Sequence, residues 1–126
     1  MGIDRVLVLL GHGSRAPETL EEMRELAAKL QAVSPGPRVV PAFLNLLQPD
    51  LPAAIREAVA AGSRQIDVLP LFFFTGKHVQ EDVRKLIAEA RLQHPDASIT
   101  LREAAGRNPA FLPFLAGIAG FSSAKP

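Results

Sequence analysis

Two histidines, His12 and His78, with the amide Asn45 midway between them in the sequence, are the residues whose types suggest metal chemistry. Imidazole is the commonest ligand for a borderline divalent ion, and because it ordinarily titrates near pH ~6.5 it also accepts protons at neutral pH. Asn45 offers a neutral carbonyl oxygen, with neither a charge nor a site for a proton. The chain has no cysteine, which excludes disulfides, thiolate zinc sites and thiol nucleophiles. A metal would have to rely on His, carboxylate or amide groups. His12 and His78 are therefore the candidate metal ligands and proton acceptors. A loop histidine is often an ordinary surface group, and equal spacing is what any regular alternation of strands and helices produces. The pair counts only if the fold brings both to one rim. His94 precedes Pro95 and reads as structural, since an imidazolium at a helix C-terminus complements the dipole.

Arg15 and Lys77 each neighbour one of these histidines, in segments that open helices. Their cations, together with free N–H groups at the helix starts, would receive carboxylates; ordinary solvated charge is the alternative. Ser14 and Gly76 lie in the same two turns, so the candidate substrate-binding set is Ser14, Arg15, Asn45, Gly76 and Lys77.

The elements that must position these groups follow from the apolar pattern. Arg5 to Leu10 is a short apolar run ending at a glycine, which suits a strand buried on both faces. Between Pro17 and Ala32, apolar residues recur at intervals of three and four, and the Pro and Gly cluster after Ser34 breaks the helix they predict. Arg38 to Phe43 predicts a second strand, placed at a sheet edge because Pro41 cannot donate a ladder hydrogen bond. Leu51, Ile55, Ala58 and Val59 mark a second helix closed at Gly62. Gln65 to Phe74 reads as a third strand, with Phe72, Phe73 and Phe74 alternating faces, mostly as core. His78 then falls in a loop ahead of a third helix, which carries Val79, Val83, Leu86, Ile87 and Ala90 and stops before Pro95. Ser98 to Leu101 is a weak fourth strand, and Pro109 to Phe121 a final apolar helix.

This alternation predicts an α/β fold with right-handed crossovers and a mainly parallel sheet flanked by helices. Ligands of such sheets bind beyond the carboxyl ends of the strands, where the order reverses. A two-one-three-four order would lift His12 and His78 from the same rim.

At 126 residues the chain suits one domain, and 48% hydrophobic against 21% charged residues argues against disorder. No apolar run is long enough to span a membrane, and the opening run reads as a strand rather than a signal peptide, so a cytoplasmic protein is expected. Fourteen basic and 13 acidic residues, without a basic tract, give no footprint for nucleic acid. Gly11, Gly13 and Ala16 fit a dinucleotide fingerprint, but no acidic residue ends the second strand to hold a ribose. A nucleotide module is the third reading. No Gly-x-Ser-x-Gly elbow exists, which removes that hydrolase class.

Leu9 to Arg15 (LLGHGSR), Pro41 to Leu44 (PAFL) with Pro49 following, and Leu69 to Val83 (LPLFFFTGKHVQEDV) form an ordered set. In this it resembles the small, short-form sirohydrochlorin chelatases, the CbiX-type class II chelatases of the cobalamin and sirohaem pathways, over nearly the whole chain. The resemblance implies one chelatase-like domain over residues 1–126 with a four-stranded, mainly parallel sheet. It also implies a homodimer that mimics the fused halves of longer relatives. The implied activity is that of a lyase inserting Co²⁺, Fe²⁺ or Ni²⁺, as substrate and without an organic cofactor, into sirohydrochlorin or a related acidic tetrapyrrole. His12 and His78 would bind the metal and help remove the pyrrole protons, while Arg15 and Lys77 pin the macrocycle. The family usually has Glu after the Phe-Leu of the second strand, where this chain has Asn45. A neutral amide holds a divalent ion less firmly than a carboxylate, so a non-catalytic tetrapyrrole or metal carrier is the second reading.

Overall fold

The computed structural model describes residues 4–33 and 35–121. Its first strand, β1 (Arg5–Gly11), is apolar on both sides because both sides are covered. Val6, Val8 and Leu10 join one core cluster and Leu9 the other, as the two-residue period of a strand requires. The remaining elements are α1 (Glu18–Val33), β2 (Arg38–Phe43), α2 (Leu51–Ala60), β3 (Gln65–Pro70), α3 (Lys77–Gln93), β4 (Ser98–Leu101), a 3-10 turn (Ala105–Arg107) and α4 (Phe111–Ile118).

The four strands form one sheet, order β2-β1-β3-β4, with every pair parallel. The predicted α/β architecture is therefore found, the order is the one that would place the ends of β1 and β3 side by side, and β2 lies at an edge with Pro41 opposite Leu9. One face of the sheet is packed by α2 and α3 through Leu51, Ile55, Ala58, Val83 and Ile87. The other is packed by α1 through Met23 and Ala27 against Leu9 and Phe43. Helix α2 starts sharply because the Asp50 carboxylate accepts a hydrogen bond from Ala53 N at 2.9 Å.

Three expectations need correction. The third strand stops at Pro70 rather than Phe74, because β1 ends at Gly11 and β4 at Leu101, leaving no neighbour for Phe72–Phe74 to pair with. The last links are Leu71 N donating to Leu10 O at 2.8 Å and Arg102 N to Val68 O at 2.8 Å. His78 is not in a loop: α3 begins at Lys77 with Gly76 as its N-cap, so His78 occupies the first helical turn. The final helix is shorter than predicted, and none of its residues is buried. Among the described residues no helix is long and apolar enough to cross a membrane.

Candidate active site

His12 leaves the carboxyl end of β1, and Leu44 and Asn45 leave the end of the adjacent β2. The two loops are fastened by backbone bonds, Leu44 N to Gly11 O at 3.0 Å and Asn45 N to His12 O at 3.3 Å. Gly13 makes this approach possible. Its φ is +110°, and a Cβ there would run into the backbone carbonyl oxygen of Asn45. The loop after β3 supplies Phe72, 6% exposed, whose ring lies 5.4 Å from the His12 ring at 52°. Three strand ends thus converge on His12, whose imidazole remains exposed.

Two recesses flank it. One, of about 310 Å³, is lined by His12, Asn45 and a stretch of α3 that includes Asp82, Lys85 and Glu89. The other, of about 350 Å³, lies toward α1 and includes Glu22 and Met23. His12 and Asn45 are accordingly brought together as the sequence suggested. His78 is exposed one turn earlier on α3 than Asp82 and lines neither recess. Among the described residues no three His, Asp or Glu side chains are gathered closely enough to hold a metal ion. The family's usual third metal-site residue, a glutamate, is replaced at position 45 by an amide.

The other candidates divide. The Ser14 hydroxyl accepts from Ala16 N at 3.0 Å, a local turn bond that fixes the segment after His12. Arg15 and Lys77 are exposed and, among the described residues, in no ion pair. Gly76 begins α3 with extended backbone, φ −78° and ψ 173°, leaving the first-turn N–H groups open to solvent. Asp82, Lys85 and Glu89 were missed as site residues. The signal was present in the sequence, since His78, Asp82, Lys85 and Glu89 recur at four, three and four residues and so share one helical stripe.

The model of the CbiX family matches residues 6–117. A sirohydrochlorin cobaltochelatase of Methanocaldococcus jannaschii is 35% identical over 81 residues, 64% of this chain and 57% of the relative. The chloroplastic sirohydrochlorin ferrochelatase of Arabidopsis thaliana is 30% identical over 84 residues, 67% of this chain and 37% of that one. The chain thus spans little more than half, or less, of the length of these curated relatives. A crystal structure of a cobalamin biosynthesis CbiX protein from Marinobacter aquaeolei superimposes with a TM-score of 0.79 at 27% identity, covering 92% of this chain and 94% of that one.

Proposed function

The chain belongs to the CbiX family, and from that premise we propose that it inserts Co²⁺ or Fe²⁺, with Ni²⁺ a further candidate, into sirohydrochlorin or a closely related acidic tetrapyrrole. The observation that carries the reading is His12 at the meeting point of three strand ends, exposed beside a recess with Asp82 and Glu89 in its wall. The relatives named for cobalt and iron insertion support the choice of metals.

Insertion requires a partly dehydrated ion, a ring with its nitrogens presented, and acceptors for two pyrrole protons. In this reading His12 and His78 coordinate the incoming ion as neutral imidazoles and take up the protons once the ring nitrogens replace them. Asn45 contributes a carbonyl oxygen. Asp82 and Glu89 supply the negative charge that an amide at position 45 does not, with Lys85 between them limiting the excess. Arg15, Lys77 and the open N–H groups after Gly76 receive carboxylates of the macrocycle. No organic cofactor is needed.

The reading includes a cytoplasmic homodimer of single-domain chains. On and just after α4, Leu112, Phe114, Ile118 and Phe121 are 60–73% exposed, and Phe74 in the loop after β3 is 99% exposed, which supports a partner surface.

Asn45 and the lack of a three-residue ligand cluster among the described residues favour the carrier as the second reading. Incubating pure protein with sirohydrochlorin and each metal in turn separates the two. A metal-dependent absorption change faster than the protein-free control, with more than one turnover, supports the chelatase. A stoichiometric spectral shift without turnover supports the carrier, and no spectral change at all refutes both.

A further inference from the structure

A further recess lies apart from the two at His12. It lies beyond the carboxyl ends of β3 and β4, with a volume of about 370 Å³, and three arginines line it: Arg84 of α3, Arg102 after β4 and Arg107 of the 3-10 turn. The floor is apolar, from Phe72, Val83 and Leu101, while Thr75 and Gln80 add polar groups at the side. Glu103 is the acid in the lining, so positive charge is in excess by two.

Arg102 is already engaged, donating to Asp67 Oδ2 at 3.0 Å, and that carboxylate is only 8% exposed. Arg84 and Arg107 form no ion pair among the described residues. The turn that carries Arg107 is held against the loop after β3. Gly106 N donates to Phe72 O at 2.9 Å, and a Cβ on Gly106 would sit 2.6 Å from Phe73 Cα and 3.0 Å from Phe72 O. The same Phe72 packs its ring on His12. One residue therefore forms the wall between the histidine site and the arginine recess, and a ligand lying over His12 has this recess at its edge.

From this we infer that the recess between α3, β4 and the 3-10 turn is a subsite for alkyl carboxylate arms of the ligand whose ring sits at His12. Paired guanidiniums form forked hydrogen bonds to carboxylates. The apolar floor matches the methylene stems of such arms, which a bare inorganic anion lacks. The inference rests on the tetrapyrrole reading of the His12 site but concerns different residues, and it is tested by binding rather than turnover.

The probe is uroporphyrin I, a fluorescent octacarboxylate porphyrin, titrated with the full chain in the absence of metal. The variant is Arg84→Gln with Arg107→Gln; Arg102 is left alone because its loss strands the Asp67 carboxylate. The control is Arg5→Gln with Arg38→Gln, which removes the same charge from the first residues of β1 and β2, at the opposite end of the sheet. The recess variant should bind about tenfold more weakly, on the scale of two partly exposed charge-assisted contacts, with a shallower salt dependence. The control should stay within about twofold of wild type on the scale of lone surface charges. Unchanged affinity in the recess variant, an equal loss in the control, or no binding by wild type overturns the inference. Active insertion with unchanged porphyrin affinity would sink the subsite and leave the chelatase reading standing. A selective loss of binding in a protein without insertion activity would do the reverse.

Discussion

Replacing Gly13 with alanine tests whether the junction of the β1 and β2 loops sets the site. At φ +110° an L-residue is strained by about 1–3 kcal/mol. The new methyl group also overlaps the Asn45 carbonyl oxygen, so the loops must part. Separation lengthens the bonds Leu44 N to Gly11 O and Asn45 N to His12 O, now 3.0 and 3.3 Å. Each is worth about 0.5–1.5 kcal/mol net. Because moving the loops relieves part of the strain, the terms do not add in full, and Gly13→Ala should lose about 2–4 kcal/mol. Urea denaturation followed by circular dichroism measures this, provided the slope is unchanged between variants. Gly36→Ala is the comparison: a Cβ there meets nothing within 4 Å, and stability should hold or rise slightly. Calorimetry should also show Gly13→Ala binding Co²⁺ more weakly, since His12 and Asn45 no longer share one geometry. A Gly13→Ala protein as stable as Gly36→Ala, with wild-type affinity for Co²⁺, would refute the role given to this junction.

Asn45→Glu should tighten Co²⁺ binding about fivefold to tenfold near neutral pH, because a carboxylate attracts a dication even in high dielectric while its desolvation offsets part of the gain. Equal or weaker binding in calorimetry would mean that residue 45 does not face the ion. His78→Ala removes an exposed side chain, so its melting temperature should match wild type while most insertion activity disappears; wild-type turnover would rule out the assignment. Light scattering at micromolar concentration should give a dimer mass, and Phe114→Glu with Ile118→Glu should give monomers. A wild-type protein that is monomeric throughout would count against α4 as the dimer contact.

The alternation of strands and helices was legible because β1 is a continuous apolar run and the first three helices each carry one apolar face, whereas the strand order entered only as the condition that would bring His12 and His78 to one rim. Pro41 identified the edge strand for a reason local to that residue. The end of β3 was not legible. Phe72–Phe74 has strong strand propensity, and only the lengths of β1 and β4 show that no partner reaches it. His12 and Asn45 were found because residues after neighbouring strands must meet. The acidic wall of the recess was missed because Asp82 and Glu89 look like solvated helix charges until β1 is known to end beside them. The arginine recess was less visible still, for its three arginines come from a helix, a strand end and a turn with no shared spacing.

Helix α3 explains how one small site would handle partners of opposite charge. At roughly 100° per residue, Val83, Ile87 and Ala90 form the buried stripe. His78, Asp82, Lys85 and Glu89 fall on one side of it, and Gln80 and Arg84 on the other. The helix thus presents two carboxylates and Lys85 to the His12 recess and Arg84 to the recess beyond Phe72. The separation matters physically: charges a few ångströms apart interact by about 4 kcal/mol at an effective dielectric near 20. The separation is one of net charge: the recess at His12 has Asp82 and Glu89 against Lys85, and the other has three arginines against Glu103. In the proposed site, negative charge placed on α3 would also account for the amide at position 45. A carboxylate on the β2 loop is dispensable for charge if the helix opposite carries two, though not for geometry, since Asn45 is the residue the Gly13 contact holds beside His12.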